Sequence, residues 1–198
     1  MRHEINKIKK IKKTKEGFSL IELVVSLSVI AMITVLFMAD YKTGNKRTDL
    51  VMSAQKLVAD IHLAQNNSLG LVKYNNDVPA GGWGLSLDMA TGGYTLFADL
   101  NAPETSGYMS YDPDTEGNIN YGARTTDFSS TVVIQSLKIG STYVSSTNVT
   151  FLPPDPITNI YSSGTTSTDL EIKLQEKKNP VNIKTIRINF LGLAEVVD

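Results

Sequence analysis

The sequence predicts an α+β protein: a long N-terminal helix, apolar in its first half and amphipathic in its second, packed against a β-rich globular head. Three observations predict it. An almost uncharged run fills residues 18–39, apolar residues recur every three or four positions to about residue 69, and two-residue alternation between turn residues dominates 71–198. The chain has 198 residues, 41% of them hydrophobic, and a formal net charge of −1, which suits a folded domain and not a disordered one. It contains no cysteine and only two histidines, His3 and His62. A disulfide scaffold, a thiolate zinc site and a thiol nucleophile are therefore excluded. A Ser-His-Asp triad or a His-rich metal site would have almost nothing to build on. Neither catalysis nor a cofactor is expected.

The first element is basic. Residues 1–17 carry seven lysines and arginines against Glu4 and Glu16, a net of +5, whereas 18–198 holds 12 basic and 18 acidic side chains, a net of −6. An acidic body argues against a main surface for nucleic acid or anionic lipid. Next, Phe18 to Ala39 contains a single ionisable group, Glu22, and as a helix spans roughly 33 Å, enough for the hydrocarbon core of a bilayer. Seven basic residues before this run and three just after it (Lys42, Lys46, Arg47) place the N-terminus in the cytoplasm and everything beyond about residue 40 outside. A secretory signal peptide fits poorly. Its apolar region would be roughly 7–15 residues, and Phe37-Met38-Ala39 lacks the small residue an A-x-A site needs at its first position. An uncleaved single-pass anchor remains an alternative, but it does not explain Glu22, because a carboxylate inside an apolar span costs about 2–4 kcal/mol.

Glu16-Gly17-Phe18-Ser19-Leu20-Ile21-Glu22-Leu23-Val24-Val25 resembles the N-terminal signature of type IV prepilins and pseudopilins: a basic leader ending in Gly, then Phe, a hydroxyl residue, two aliphatics, Glu and a long apolar run. The resemblance implies that a prepilin peptidase of the inner membrane cuts the Gly17–Phe18 bond on its cytoplasmic side and methylates the new N-terminus at Phe18. Residues 1–17 are then a leader that is removed, 18–70 the long helix with its transmembrane half at 18–39, and 71–198 the head. Elementary chemistry is compatible with these roles. Gly17 has no Cβ, so an extended chain can enter a narrow protease cleft there. Cleavage would leave an ammonium at the positive end of a helix dipole, and Glu22, one turn further in, can neutralise it or that of a neighbouring subunit. A merely tolerated glutamate near the membrane interface is the plainer alternative. Ser26, Ser28 and Thr34 are small or hydroxyl residues of the kind that let such helices approach closely.

Leu50, Val51, Ala54, Leu57, Val58, Ile61, Ala64 and Ser68 form the apolar stripe of the second helical half and leave Asp49, Gln55, Lys56, Asp60 and Gln65 for other faces. Thr43-Gly44-Asn45 is the expected weak point of the helix, and Gly70 the expected left-handed cap at its end. His62 is read as a surface or packing residue. In the head, Trp83–Leu87 and Tyr94–Phe97 flank Ala90-Thr91-Gly92-Gly93 as a hairpin. Further strands are expected at 130–139, 147–152, 169–175, 181–190 and 193–197. A bulge near Lys184-Thr185 would reconcile two apolar phases in the 181–190 run. Residues 162–168 read as an exposed loop.

The head is also similar to minor pseudopilins of the GspH/FimT type, through Gly-Trp-Gly-Leu at 82–85, Thr150-Phe151-Leu152-Pro153 and the strand-turn-strand Ile188 to Leu193. It departs from that pattern at Pro154-Asp155, where a Gly often follows. Asp112, Asp114 and Glu116 imitate the start of a calcium loop, but its twelfth position is Ala123 and not a bidentate Glu, so a solvated acidic loop is the preferred reading and calcium the alternative. Lys173, Lys177, Lys178, Lys184 and Arg187 form a basic cluster. We read it as a charged β-edge that blocks aggregation; a DNA-binding pilin for natural transformation is the alternative. The expected function is a structural subunit of a type IV pilus or a secretion pseudopilus, with prepilin peptidase and other pilin subunits as partners and nucleic acid not among them.

Overall fold

A computed structural model describes residues 17–74, 76–101, 103, 107–111, 124–154 and 157–197, apart from the side chains of 39–45. It comprises two compact units, Met1–Lys42 and Thr43–Asp198.

Helix α1 begins at Leu20 and ends at Leu69. Ser19 accepts the backbone bond from Leu23 N–H (3.2 Å) and so stands at the N-cap. Ser19-Leu20-Ile21-Glu22 is the sequence of a capping box, and the dipole favours the acidic residue in the first turn. From Leu20 to Met38 the mean hydropathy is 2.6 and no residue is buried. The hydroxyls of Ser26, Ser28 and Thr34 donate to the carbonyls of Glu22, Val25 and Ile30 at 2.7–2.8 Å, so these polar groups are satisfied inside the helix. The backbone remains helical through Thr43-Gly44-Asn45, a single glycine costing only about 1 kcal/mol.

In the second unit, Leu50, Ala54, Leu57, Ile61 and Ala64 of α1 are buried at the spacing read from the sequence. The helix ends in a Schellman arrangement: Val72 N–H donates to Asn67 C=O (2.9 Å) and Leu71 N–H to Ser68 C=O (3.1 Å). The left-handed residue is Leu71, at φ +50, and not Gly70 as expected. The helix ends at Leu69, and its left-handed residue lies one position beyond the expected glycine.

The strands are β1 (Gly82–Asp88), β2 (Gly93–Asp99), β3 (Arg124–Asp127), β4 (Val132–Ile139), β5 (Thr142–Val144), β6 (Ser146–Leu152), β7 (Ile157–Ser162), β8 (Thr165–Ser167), β9 (Leu170–Glu176), β10 (Asn179–Ile188) and β11 (Ala194–Val197). They form two antiparallel sheets, in the orders β3-β2-β1-β6-β7-β8 and β11-β10-β9-β4-β5. Leu85, Leu87, Tyr94, Leu96, Val149, Phe151 and Ile160 of the first, and Ile134, Leu137, Ile172, Leu174, Ile186 and Ile188 of the second, close one apolar core with the second half of α1. The predicted 90–93 hairpin joins β1 to β2.

Two expectations are corrected. Residues 162–168 are not a loop but the turn and second strand of a hairpin. Ser162 pairs with Thr165, and Ser163 (φ +44) and Gly164 (φ +84) make the two-residue turn with both φ positive that twisted hairpins favour. Nor does β10 bulge at Lys184-Thr185. It keeps register with β9 from Ile183↔Gln175 to Ile188↔Leu170, and the irregularity lies between Asn179 and Ile183. The buried phase is that of Ile186 and Ile188, while Val181 is 86% exposed, so the second apolar phase faces outward and nothing needs reconciling.

Candidate functional site

Gly17, Phe18 and Glu22 stand together at the start of α1. No heavy atom lies within 4 Å of the place a Cβ on Gly17 would occupy. Phe18 precedes the helix and is 80% exposed, and Glu22 is exposed in the first turn. The arrangement is an open Gly–Phe junction followed by a capped helix with a carboxylate one turn in, at the head of an apolar stretch long enough to cross a bilayer. The capping signal at Ser19 adds a second reason for an acid at position 22, and it was readable as S-x-x-E. Residues 1–16, and with them His3, lie outside the described residues, as do Asp112, Asp114 and Glu116. Among the described residues no three His, Cys, Asp or Glu side chains gather at one place. His62 is half-buried on α1.

The head holds polar sites that bring in Asp49, Asp60 and Gln65, which the helical pattern had left on other faces of α1. Asp60 is 7% exposed; its carboxylate accepts from the Tyr94 hydroxyl (2.6 Å) and pairs with the Arg124 guanidinium. Burial and the Asp60 carboxylate together push the Tyr94 hydroxyl well above the ordinary tyrosine value. Asp49 accepts from the Ser129 and Thr131 hydroxyls at 3.1 and 3.0 Å. Gln65 donates to Leu191 C=O (3.3 Å), and the Ser68 hydroxyl accepts from Trp83 N–H (2.8 Å). These four side chains pin the second half of α1 to both sheets. The places of Asp49, Asp60 and Gln65 beside the apolar stripe, and of Ser68 within it, were the only available signal. Asp99, fully buried, accepts from the N–H groups of Asn101 (2.9 Å) and Met109 (2.5 Å) and so gathers the segment after β2. Gly81 is required there, since any Cβ would lie 2.0 Å from the Asp99 carboxylate oxygen.

Of the basic cluster, Lys173 and Arg187 both pair with Glu171, at 3.3 and 3.1 Å. Burial raises the Glu171 carboxyl, but the hydrogen bonds and charges of Lys173 and Arg187 outweigh it and hold the group below the usual glutamate value. Lys177 and Lys178 form the exposed turn between β9 and β10.

Residues 12–38 match the family model for the prokaryotic N-terminal methylation motif. The match spans the end of the basic segment, the Gly17–Phe18 junction, Glu22 and the apolar part of α1. No curated protein and no solved structure matches the chain. The motif supports a type IV pilin-like or pseudopilin subunit, processed by a prepilin peptidase and assembled with other pilins. The apolar helix followed by a β-rich head is a type IV pilin-like α+β fold, and it fits a membrane-anchored pilin.

Proposed function

We propose that this chain is a minor pilin or pseudopilin, a structural subunit of a type IV pilus or of a type II secretion pseudopilus. Its precursor is a single-pass protein of the inner membrane with the N-terminus in the cytoplasm and the head outside. Prepilin peptidase removes residues 1–17 and methylates Phe18. Neighbouring subunits then draw the mature helix into a filament at the cell envelope or surface, where Glu22 pairs with an N-terminal ammonium. The observation that carries this reading is the methylation motif lying on a helix that is apolar from Leu20 to Met38, with none of those residues buried. Such a surface needs lipid or other helices around it. The head is of the GspH/FimT type, a reading supported by the Gly-Trp-Gly-Leu strand β1 and by the strand-turn-strand that ends β10.

Mass spectrometry of the native protein from membranes and from sheared filaments tests the processing. The expected mass lacks residues 1–17 and carries one methyl group on Phe18. Intact Met1 in assembled material would overturn the reading. Gly17→Ala should slow cleavage less than Gly17→Leu.

A further inference from the structure

The two sheets turn chemically different outer faces to their surroundings. On the five-stranded sheet, Lys138, Glu171, Arg187 and Glu195 are consecutive partners across β4, β9, β10 and β11, a row of alternating charges. Long charged side chains are ordinary there. The six-stranded sheet carries a different row. Thr125, Thr95, Ser86, Asn148, Tyr161 and Thr166 are consecutive partners from β3 to β8, every one a hydroxyl or an amide and none a lysine, arginine or glutamate. Two residues further along the strands, Asp88 faces Ser146 on the same side.

This face is concave. A groove of about 500 Å³ runs over it, with Ser110 and Tyr111 among its lining residues. The wall they make is held in place: Asn148 Nδ2 donates to Ser110 Oγ (3.2 Å), the Tyr111 ring packs on Phe97 at 5.5 Å, and Asp99 fixes Met109 just before them. The volume lies within the range of roughly 300–1,000 Å³ typical of small-molecule sites. Among the described residues, the hydroxyls of Ser86, Ser146, Ser163 and Tyr161 make no hydrogen bond within the chain, and Asp88 uses only Oδ1, to accept from Ala90 N–H (2.8 Å). Uncommitted groups from three strands and a turn thus converge on one groove, flanked by two tyrosine rings.

We propose that this groove binds a neutral saccharide. A sugar offers vicinal hydroxyls that donate and accept at once, which suits short Ser and Thr hydroxyls, an amide and one carboxylate. Its C–H face is apolar and suits the tyrosine rings. Among the described residues that line the groove, Asp88 is the one charge and no cation stands beside it, which opposes anionic ligands and removes the usual means of holding nucleic acid. Phosphorylated and sulfated ligands are disfavoured on the same ground.

The test uses the full chain in a zwitterionic detergent without a sugar head group. Maltotriose, chitotriose and mannotriose are titrated by calorimetry and saturation-transfer NMR, beside a sulfated trisaccharide and a Ser/Thr-rich tetrapeptide. At least one neutral trisaccharide should bind with a Kd below about 10 mM. Tyr161→Ala should weaken it by about tenfold or more through loss of the ring and its hydroxyl. Ser86→Tyr, which fills the groove from an outward strand position and leaves Tyr161 in place, should abolish it. Circular dichroism of each variant checks that the head is folded. No binding by any neutral sugar, stronger binding of the tetrapeptide or the sulfated sugar, or an affinity that Ser86→Tyr leaves unchanged would each overturn the proposal.

Discussion

Leu71 occupies a conformation at φ +50 that costs an L-residue with a Cβ about 1–2 kcal/mol, one position after a glycine that would adopt it freely. Leu71→Gly should therefore stabilise the head by about 0.5–1 kcal/mol, read from the urea midpoint of a chain beginning at residue 45. Tyr94 gives a pH-dependent counterpart. Its hydroxyl keeps its proton in the folded head above the ordinary value of 10.0, where the unfolded chain loses it. The associated stability is whole below pH 10 and drains as the pH rises beyond it. Tyr108, raised by burial and by Asp99, acts in the same direction. Tyr94→Phe should cost about 1–3 kcal/mol at neutral pH, because an Asp60 oxygen loses its donor, and should flatten the fall of stability above pH 10. An unchanged alkaline slope would remove Tyr94 from this role. Glu22 separates insertion from assembly. Glu22→Ala should leave membrane retention unchanged or improved, since it removes a carboxylate from an apolar span. It should lower the fraction of processed chain in sheared filaments, and Glu22→Asp should lie between. Equal fractions for all three chains would show that the capping position alone accounts for the residue.

Among the elements, those with a strong periodic signal were legible and those without one were not. The whole of α1 could be read, because its first half is apolar throughout and its second half keeps a three- and four-residue stripe. β1, β2, β4, β6, β9 and β10 each bury alternate apolar residues, and alternation is what the sequence displays. The missed strands β3, β5 and β8 are Arg-Thr-Thr-Asp, Thr-Tyr-Val and Thr-Thr-Ser, edge pieces with almost no buried apolar side chain. β7 buries one, Ile160. Such strands exist because a neighbour offers backbone partners, which a single sequence does not reveal. The Ser163-Gly164 pair was a turn signal, but with no apolar run beside it the segment read as a loop. The methylation motif was legible for the opposite reason, being one dense local pattern across Gly17, Phe18 and Glu22. The buried polar pins were not: Asp60 looks like a surface residue until Tyr94 and Arg124, from two distant strands, arrive beside it.

For the molecule as a whole, the 20–38 segment of α1 is a long apolar surface with no buried residue. Deleting it should yield a soluble, monomeric head, and circular dichroism of a chain beginning at residue 45 should show one helix and abundant strand. A mostly helical spectrum would contradict the two sheets. Phe190, Leu191 and Leu193 remain exposed in the turn between β10 and β11, so some concentration-dependent association of the head at high protein concentration is expected by light scattering.

The order in which the strands pair also sets a timetable. β1 waits for β6, β4 waits for β9, and Ile186, Ile188 and Ala194 complete the same core that Leu50 and Leu57 begin. Among the described residues, seven of the nine strand pairings join consecutive strands, but β1–β6 and β4–β9 do not, so the surface on which the amphipathic half of α1 lies stays incomplete while the nascent chain is short. The core cannot close until synthesis has passed Ala194. On the proposed topology this delay is useful: translocation channels take extended chains, and a head whose core closes only after its last strands are made stays extended during the crossing and folds on the far side.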